Sequence, residues 1–285
     1  MNNLENRRII VENLKKIKLP EQRSPEWHKM RENMITASDF GSILGNNKYT
    51  SQKQVLKTKC GLGTKFVGNI FTRWGVKYEE VATDIYRYLK NAEVIEFGCI
   101  PHPKYSFLGA SPDGITPDGI MLEIKVPYSR DFKENDIPPH YYDQMQGQLE
   151  VCDLDVCDFL QCKVEEYKNQ SEYLEDNESE FKGSVIEYKD DENNIKFLYS
   201  KLNANKTDLQ KWIRGKKISL NSKNLCFKNI SYWKIIKYTI DTVNRDKDWM
   251  TNSLPIFEEF WKNVLYFREH PDELLQKKKK IVLDI

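Results

Sequence analysis

In Ser111-Pro112-Asp113-Gly114, followed by Leu122-Glu123-Ile124-Lys125, a carboxylate at a turn precedes a carboxylate and an amine set two residues apart. Side chains of a strand alternate between faces, so Glu123 and Lys125 project the same way. If residues 107–126 are two adjacent strands joined by a turn over 114–119, Asp113 sits beside Glu123. Two carboxylates and one ammonium then converge at a strand end. Such a trio can hold a hard divalent cation and orient a water, which phosphodiester hydrolysis requires. The bland alternative is a hairpin with an Asp-Gly turn and a surface ion pair. The apolar Leu122, Ile124 and Val126 place the strand against a core, where charges are rare unless paired or metal-bound.

The 285 residues suffice for one large domain or a domain with an appendage, and 39% hydrophobic content supports a sizeable core. No apolar run is long enough to span a bilayer, and Met1-Asn2-Asn3-Leu4-Glu5-Asn6-Arg7-Arg8 lacks the apolar region of a secretory signal. The expectation is an intracellular protein with no membrane partner. Six scattered cysteines read as reduced thiols. A net charge of +1 neither supports nor excludes nucleic acid, because an acidic metal site and a basic groove cancel in the sum.

Along the chain, residues 1–23 read as a polar lead-in that can hold a short helix. Ser24 and Pro25 open a helix, and Thr36 with Asp39 three positions on marks another through a near capping box, ended at Gly45. Ile70, Trp74, Tyr78, Val81, Ile85 and Tyr88 recur at threes and fours, which predicts one amphipathic helix over 68–90. Strands are predicted at 94–100, 107–110, 120–126 and 156–164, with a helix from Pro138-Pro139 to about Val151. Residues 165–194 are strongly acidic and read as an insertion with part of a hairpin at 185–189. A strand is predicted at 232–243, and a helix from Leu254-Pro255 that stops before Pro271. The expected organisation is one domain over 24–285: a core at 24–165, the insertion at 165–194, a C-terminal region at 195–270 and a basic tail at 277–280. Its class is α/β, with a mixed central sheet flanked by helices.

Other residues add chemistry with weaker local signals. Glu79 stands at the edge of the apolar stripe and could reach a cation at the strand ends; Glu80 reads as a solvated face. Gln144, taken alone, is helix surface filler. Arg31 and Ser38 can fork a phosphate, although an ordinary surface arginine and a first-turn serine are the commoner case. Cys152, Cys157 and Cys162 recur every five residues, but the spacing matches no common iron–sulfur run, and buried free cysteine is favoured. His28, His102, His140 and His270 have no metal-ligand spacing.

Taken together, the motifs match a family in order. Trp27-His28-x-x-Arg31, Ile35-Thr36-Ala37-Ser38, Trp74-Gly75-x-x-Tyr78-Glu79, the two stretches quoted first, and Tyr141-x-x-Gln144-x-Gln146 resemble the lambda-exonuclease-like, YqaJ-type viral recombinase nucleases of the PD-(D/E)xK superfamily. The match spans roughly residues 24–165. Arg245-Asp246-x-Asp248-Trp249 and Leu254-Pro255…Phe260-Trp261 look like the C-terminal part of members from large DNA viruses. Neither the acidic insertion nor that C-terminal region has a counterpart in the phage member of the family.

The resemblance implies a restriction-endonuclease-like core. It also implies Asp113, Glu123 and the Ile124 backbone carbonyl as metal ligands, Glu79 completing the site, Lys125 activating water with help from Gln144, and Arg31, Ser38 and Ser111 holding a 5′-phosphate. The cofactor implied is Mg²⁺, with Mn²⁺ as a substitute, since the donors are all hard oxygens. The activity implied is 5′ to 3′ degradation of double-stranded DNA from its ends, in viral recombination or end processing. Candidate partners beyond DNA ends are a single-strand annealing protein and further copies of the chain. The expected location is the cytoplasm, a viral replication compartment or the virion. The alternatives are an endonuclease or nickase of the same superfamily, and a non-catalytic module that binds DNA ends.

Overall fold

The computed structural model describes residues 3–21, 24–63 and 68–275; the basic tail expected at 277–280 lies outside them. The chain begins with α1 (Asn3–Lys15), α2 (Pro25–Glu32), the short strand β1 (Ile35–Thr36), α3 (Ala37–Ile43) and α4 (Gln52–Lys59). The caps form as the sequence signals. Ser24 Oγ accepts from the Trp27 N–H at 3.1 Å, and the Asp39 carboxylate accepts from the Thr36 N–H at 3.0 Å. The residues expected as a polar lead-in supply α1, which buries Val11 and Leu14 in the larger core.

The long helix is α5 (Ile70–Lys90), capped by Asn69. Its buried face comprises Tyr78, Val81, Ala82, Ile85 and Tyr86, whereas Ile70 and Tyr88 of the predicted stripe are exposed. Ile70 and Phe71 of the first turn stay more than half exposed, whereas Trp74 one turn on packs against the core.

Next come β2 (Ile100–Pro101), β3 (Leu108–Ala110), β4 (Gly114–Ile115), β5 (Met121–Lys125) and α6 (Pro139–Cys152). They are followed by β6 (Val156–Tyr167), α7 (Gln170–Glu175), β7 (Lys182–Lys189), β8 (Ile195–Tyr199), α8 (Lys206–Ser222) and β9 (Cys226–Asn244). The helices α9 (Lys247–Glu269) and α10 (Pro271–Leu275) complete the described residues. A small sheet has the order β1-β3-β2, and a six-stranded mixed sheet the order β4-β5-β6-β9-β7-β8. Within the larger sheet β5 and β6 run parallel and the other neighbours antiparallel.

The hairpin around Asp113 is tighter than expected. Residues 107–110 do not pair with 120–126; β3 belongs to the small sheet, and the antiparallel partner of β5 is β4. The turn closes through Gly119 N–H to the Thr116 carbonyl at 2.9 Å, with Gly119 at φ +73°, where glycine has no Cβ penalty. Pro112 has no N–H with which to extend the ladder. Continuing the register Gly114↔Leu122 by one residue still sets Asp113 opposite Glu123.

Residues 94–100 form a strand only at Ile100, with an isolated bridge from Ile95 to Ile115. The acidic stretch at 165–194 supplies the end of β6, α7 and β7, and β7 is paired along β9 with Ser184, Val185 and Ile186 buried. The strand predicted at 232–243 is longer because β9 serves two partners, β7 along its first half and β6 along its second. The helix predicted from Leu254 starts at Lys247 behind an Asp246 cap, and Pro255 lies inside it.

Two cores sandwich the large sheet. Met145 and Leu149 of α6 pack with Met121 and Phe159 on one face, and Tyr78, Val81 and Ile85 of α5 pack with Leu122 and Leu160 on the other. The close approach of α3 to α6 depends on Gly147, where a Cβ would run into the Phe40 ring.

Candidate active site

Alternation along β5 sends Leu122 and Ile124 toward α5, and Glu123 and Lys125 toward α6. Glu123 is fully buried. Its Oε1 accepts from Gln144 Nε2 at 2.7 Å and from Lys125 Nζ, and its Oε2 accepts from Gln148 Nε2 at 2.7 Å. Asp113 Oδ2 accepts from the Ile124 N–H at 2.7 Å, so the turn carboxylate is fastened to β5 between the other two charged residues. Burial, Glu123 and Glu79 together push the Asp113 carboxyl well above its usual range, against the opposing pull of Lys125. Burial alone would lower the Lys125 ammonium, but Glu123 and Asp113 outweigh it and raise its pKa.

Glu79, Ile124, Lys125, Arg130 and Tyr141 line one cleft of about 850 Å³ between the start of α5, the end of β5 and the start of α6. Lys125 Nζ lies 5.0 Å from the centre of the Tyr141 ring. Among the described residues no three His, Cys, Asp or Glu side chains are placed to hold a metal ion together. The donor chemistry nevertheless fits a hard cation. The carboxylates repel one another, and Lys125 supplies a positive charge among them. Glu79, Asp113 and Glu123, with the carbonyl of Ile124, are the residues that would hold it.

A second cluster adjoins the first. Arg31 donates to Ser38 Oγ at 3.2 Å and to Ser111 Oγ at 3.4 Å, and its guanidinium lies 4.5 Å from the Trp27 ring centre. Thr36 and Ser38 hydroxyls are 3.1 Å apart at the start of α3. The fold brings Ser111 to Arg31, 80 positions before it, and Ser111 is two positions from Asp113. Lys59 fixes the far side, donating to the Arg31 carbonyl at 3.1 Å and pairing with Asp39 at 2.9 Å.

Residues 26–155 match the model of the YqaJ-like viral recombinase domain. The chain is 33% identical over 304 residues to an uncharacterised protein of Acanthamoeba polyphaga mimivirus, covering 92% of this chain and 55% of that one. A protein of African swine fever virus is 29% identical over 161 residues, 46% of each chain. The chain thus spans about half the length of the curated relatives it matches. An alkaline exonuclease (LHK-Exo) from Laribacter hongkongensis shares the fold with a TM-score of 0.55 at 19% identity, over 88% of this chain and 97% of that one. The mixed α/β arrangement of sheet and helices is the fold shared with that exonuclease. No helix among the described residues is long and apolar enough to cross a membrane.

Within the residues that match that family model, sequence reading missed Gln148. It is fully buried on α6, one helical turn after Gln144; it donates to Glu123, and its Oε1 has no partner. Spacing of four from Gln144 was the available signal. Gln146, quoted in the same motif, points elsewhere: it donates to the Asn244 carbonyl and accepts from the Asp246 N–H, pinning the start of α9. The C-terminal motif serves the same latch. Arg245 pairs with Glu150 and Asp153, and Trp249 donates to Asp143. Cys152 and Cys157 lie in one core and Cys162 in the other, all as free thiols. Burial pushes Cys152 and Cys162 up to about 12, which suits packing and not metal ligation.

Proposed function

We propose that the protein is a Mg²⁺-dependent exonuclease that hydrolyses double-stranded DNA from 5′-phosphorylated ends, 5′ to 3′, in viral DNA recombination or end processing. The observation that carries this reading is the adjacency of two clusters. Asp113, Glu123 and Lys125 meet on one side of Ser111, and Arg31, Ser38 and Ser111 meet on the other.

A divalent cation bound by the carboxylates supplies charge neutralisation at the phosphate and a water of lowered pKa. The chain's own residues do the rest. Glu123 is held rigid by Gln144 and Gln148, so its oxygens keep a fixed direction. Lys125 sits at the cleft surface, where it can hold or hand over a proton beside the attacking oxygen. Arg31 offers a planar fork and Ser38 and Ser111 hydroxyls to a terminal phosphate, which sets the register of the end against the carboxylates. The fold likeness to LHK-Exo, also solved in complex with dAMP, agrees with a nucleotide product. The core at 24–165 is the catalytic unit on this reading.

The test is digestion by the purified chain of a linear duplex labelled at its 5′-phosphate and of a covalently closed circle, with Mg²⁺, Mn²⁺ or Ca²⁺. Release of labelled mononucleotide from the linear duplex, with the circle intact, is expected. Efficient cutting of the circle would make the protein an endonuclease, and inertness with every metal would leave only a DNA-end-binding module.

A further inference from the structure

We propose that α8 is a second DNA contact, gripping the sugar-phosphate backbone of the duplex about 20 Å from the cleft; this rests on the nuclease reading above. Residues 206–228 carry seven cations against one carboxylate, Asp208, in a chain whose net charge is +1. The segment lies outside the residues that match the YqaJ-like domain. Lys206, Lys211, Arg214 and Lys217 are exposed, and none takes part in an ion pair among the described residues. At 3.6 residues per turn they fall within one arc of about 140° that leaves out Leu209 and Leu220. Those two leucines are buried, with Leu209 packed against Tyr173 and Tyr232. Lys217 is steadied 4.4 Å from the Phe227 ring centre. Unpaired cations gathered on one face complement a polyanion.

The sheet places that face relative to the cleft. Lys125 pairs in parallel register with Gln161, and residues 161, 163, 165 and 167 of β6 alternate onto the side that carries Glu123 and Lys125. Tyr167 and its partner Tyr232 belong to the cluster on which α8 docks. The six steps from Gln161 to Tyr167 span roughly 20 Å, the rise of about six base pairs. Basic side chains mark the way. Arg130 donates to Gln161 at the cleft, Lys163 and Lys237 pair next, and Lys234 follows. Lys234 and Lys237 are partnered by Glu165 and Asp131, whereas the cations of α8 are not. A duplex seated with its end in the cleft and running along β6 reaches α8; a very short one does not.

The test uses the full chain with Lys206, Lys211, Arg214 and Lys217 all changed to Gln, all four being exposed. Binding is followed by anisotropy across a salt series, on a duplex of about 20 base pairs and on a hairpin of about 5. A control removes Lys15, Lys16 and Lys18 of the opposite end of the chain in the same way. The variant is expected to flatten the plot of log affinity against log salt by about 3 to 4 for the long duplex, one phosphate contact per lysine or arginine. Affinity for the short hairpin, and its cutting, stay unchanged. An unaltered slope, an equal loss on the hairpin, or an equal effect of the control overturns the proposal. So does loss of binding to anionic phospholipid vesicles with the DNA slope intact. Failure of the wild-type chain to bind any duplex would instead sink the nuclease reading, which keeps the two failures distinct.

Discussion

Gln148 Nε2 donates to Glu123 Oε2 at 2.7 Å with both residues fully buried, and the same amide lies 3.4 Å from the Ser111 carbonyl. One side chain of α6 therefore links the central carboxylate to the segment that reaches Arg31. Bonds to a charged acceptor are stronger than neutral ones, and a carboxylate held on both oxygens loses rotational freedom. Gln148→Met keeps the volume and removes the donor. It is expected to lower cleavage roughly 10–100-fold and to raise the Mn²⁺ concentration for half-maximal rate. A rate-against-Mn²⁺ titration checks this; an unshifted midpoint would reduce Gln148 to packing.

Lys125 neutralises Glu123 and borders the cleft, so its loss has two readouts. Lys125→Met is expected to abolish cleavage while duplex binding persists. It also leaves a buried charge without its partner, a loss of about 3 kcal/mol. Lys125→Arg restores a cation and most of that stability, but not the rate, because guanidinium does not give up a proton. Urea melts and single-turnover cleavage separate the two effects.

Arg31 bridges Ser38, seven positions on, and Ser111, 80 positions on. Arg31→Ala should erase most of the preference for 5′-phosphorylated over 5′-hydroxyl ends, a selectivity loss of about tenfold for one charge-assisted contact. Competition between the two substrates in one reaction measures it. A wild-type protein indifferent to the phosphate would remove the pocket from the account.

Asp39 predicts an acid limit to stability. Burial raises its pKa, but Lys59 and the Thr36 hydrogen bonds outweigh burial and leave it below its ordinary 3.8. A carboxyl whose folded pKa is depressed stabilises fully above its unfolded pKa and loses that contribution as pH falls through the folded value. Asp39→Asn should therefore melt below the wild type near neutrality, and the gap should close as pH drops below about 4. Thermal melts across that range provide the check; a constant gap would mean that the Lys59 pair contributes nothing.

Much of this site was legible in the chain because local chemistry marked it. The period of β5 set Glu123 and Lys125 on one side, and the capping residues at Ser24, Thr36 and Asp39 named helix starts that the structure contains. The meeting of Arg31, Ser38 and Ser111 was accessible only through the family resemblance, since no spacing links residues 80 positions apart. Gln148 escaped because a buried glutamine looks like any other until its acceptor is known. The strand partners failed for a similar reason. Phe107–Leu108 has the composition of a hairpin arm, and only the turn at Thr116–Gly119 decides that β4 takes that place. In the acidic stretch the hairpin arm at 185–189 was legible as the end of β7, but its start at Lys182 and its pairing along β9 were not, because charges in its flanks outnumber the buried Val185 and Ile186.

The central claim is that Glu79, Asp113 and Glu123 share a divalent cation beside Lys125. Its most direct test is anomalous diffraction from crystals of the full chain grown with Mn²⁺ and a short 5′-phosphorylated duplex. The account predicts a Mn²⁺ peak within bonding distance of Asp113 and Glu123, lost in Glu123→Gln. Mn²⁺ absent from these carboxylates while the crystallised protein still cuts DNA would contradict it.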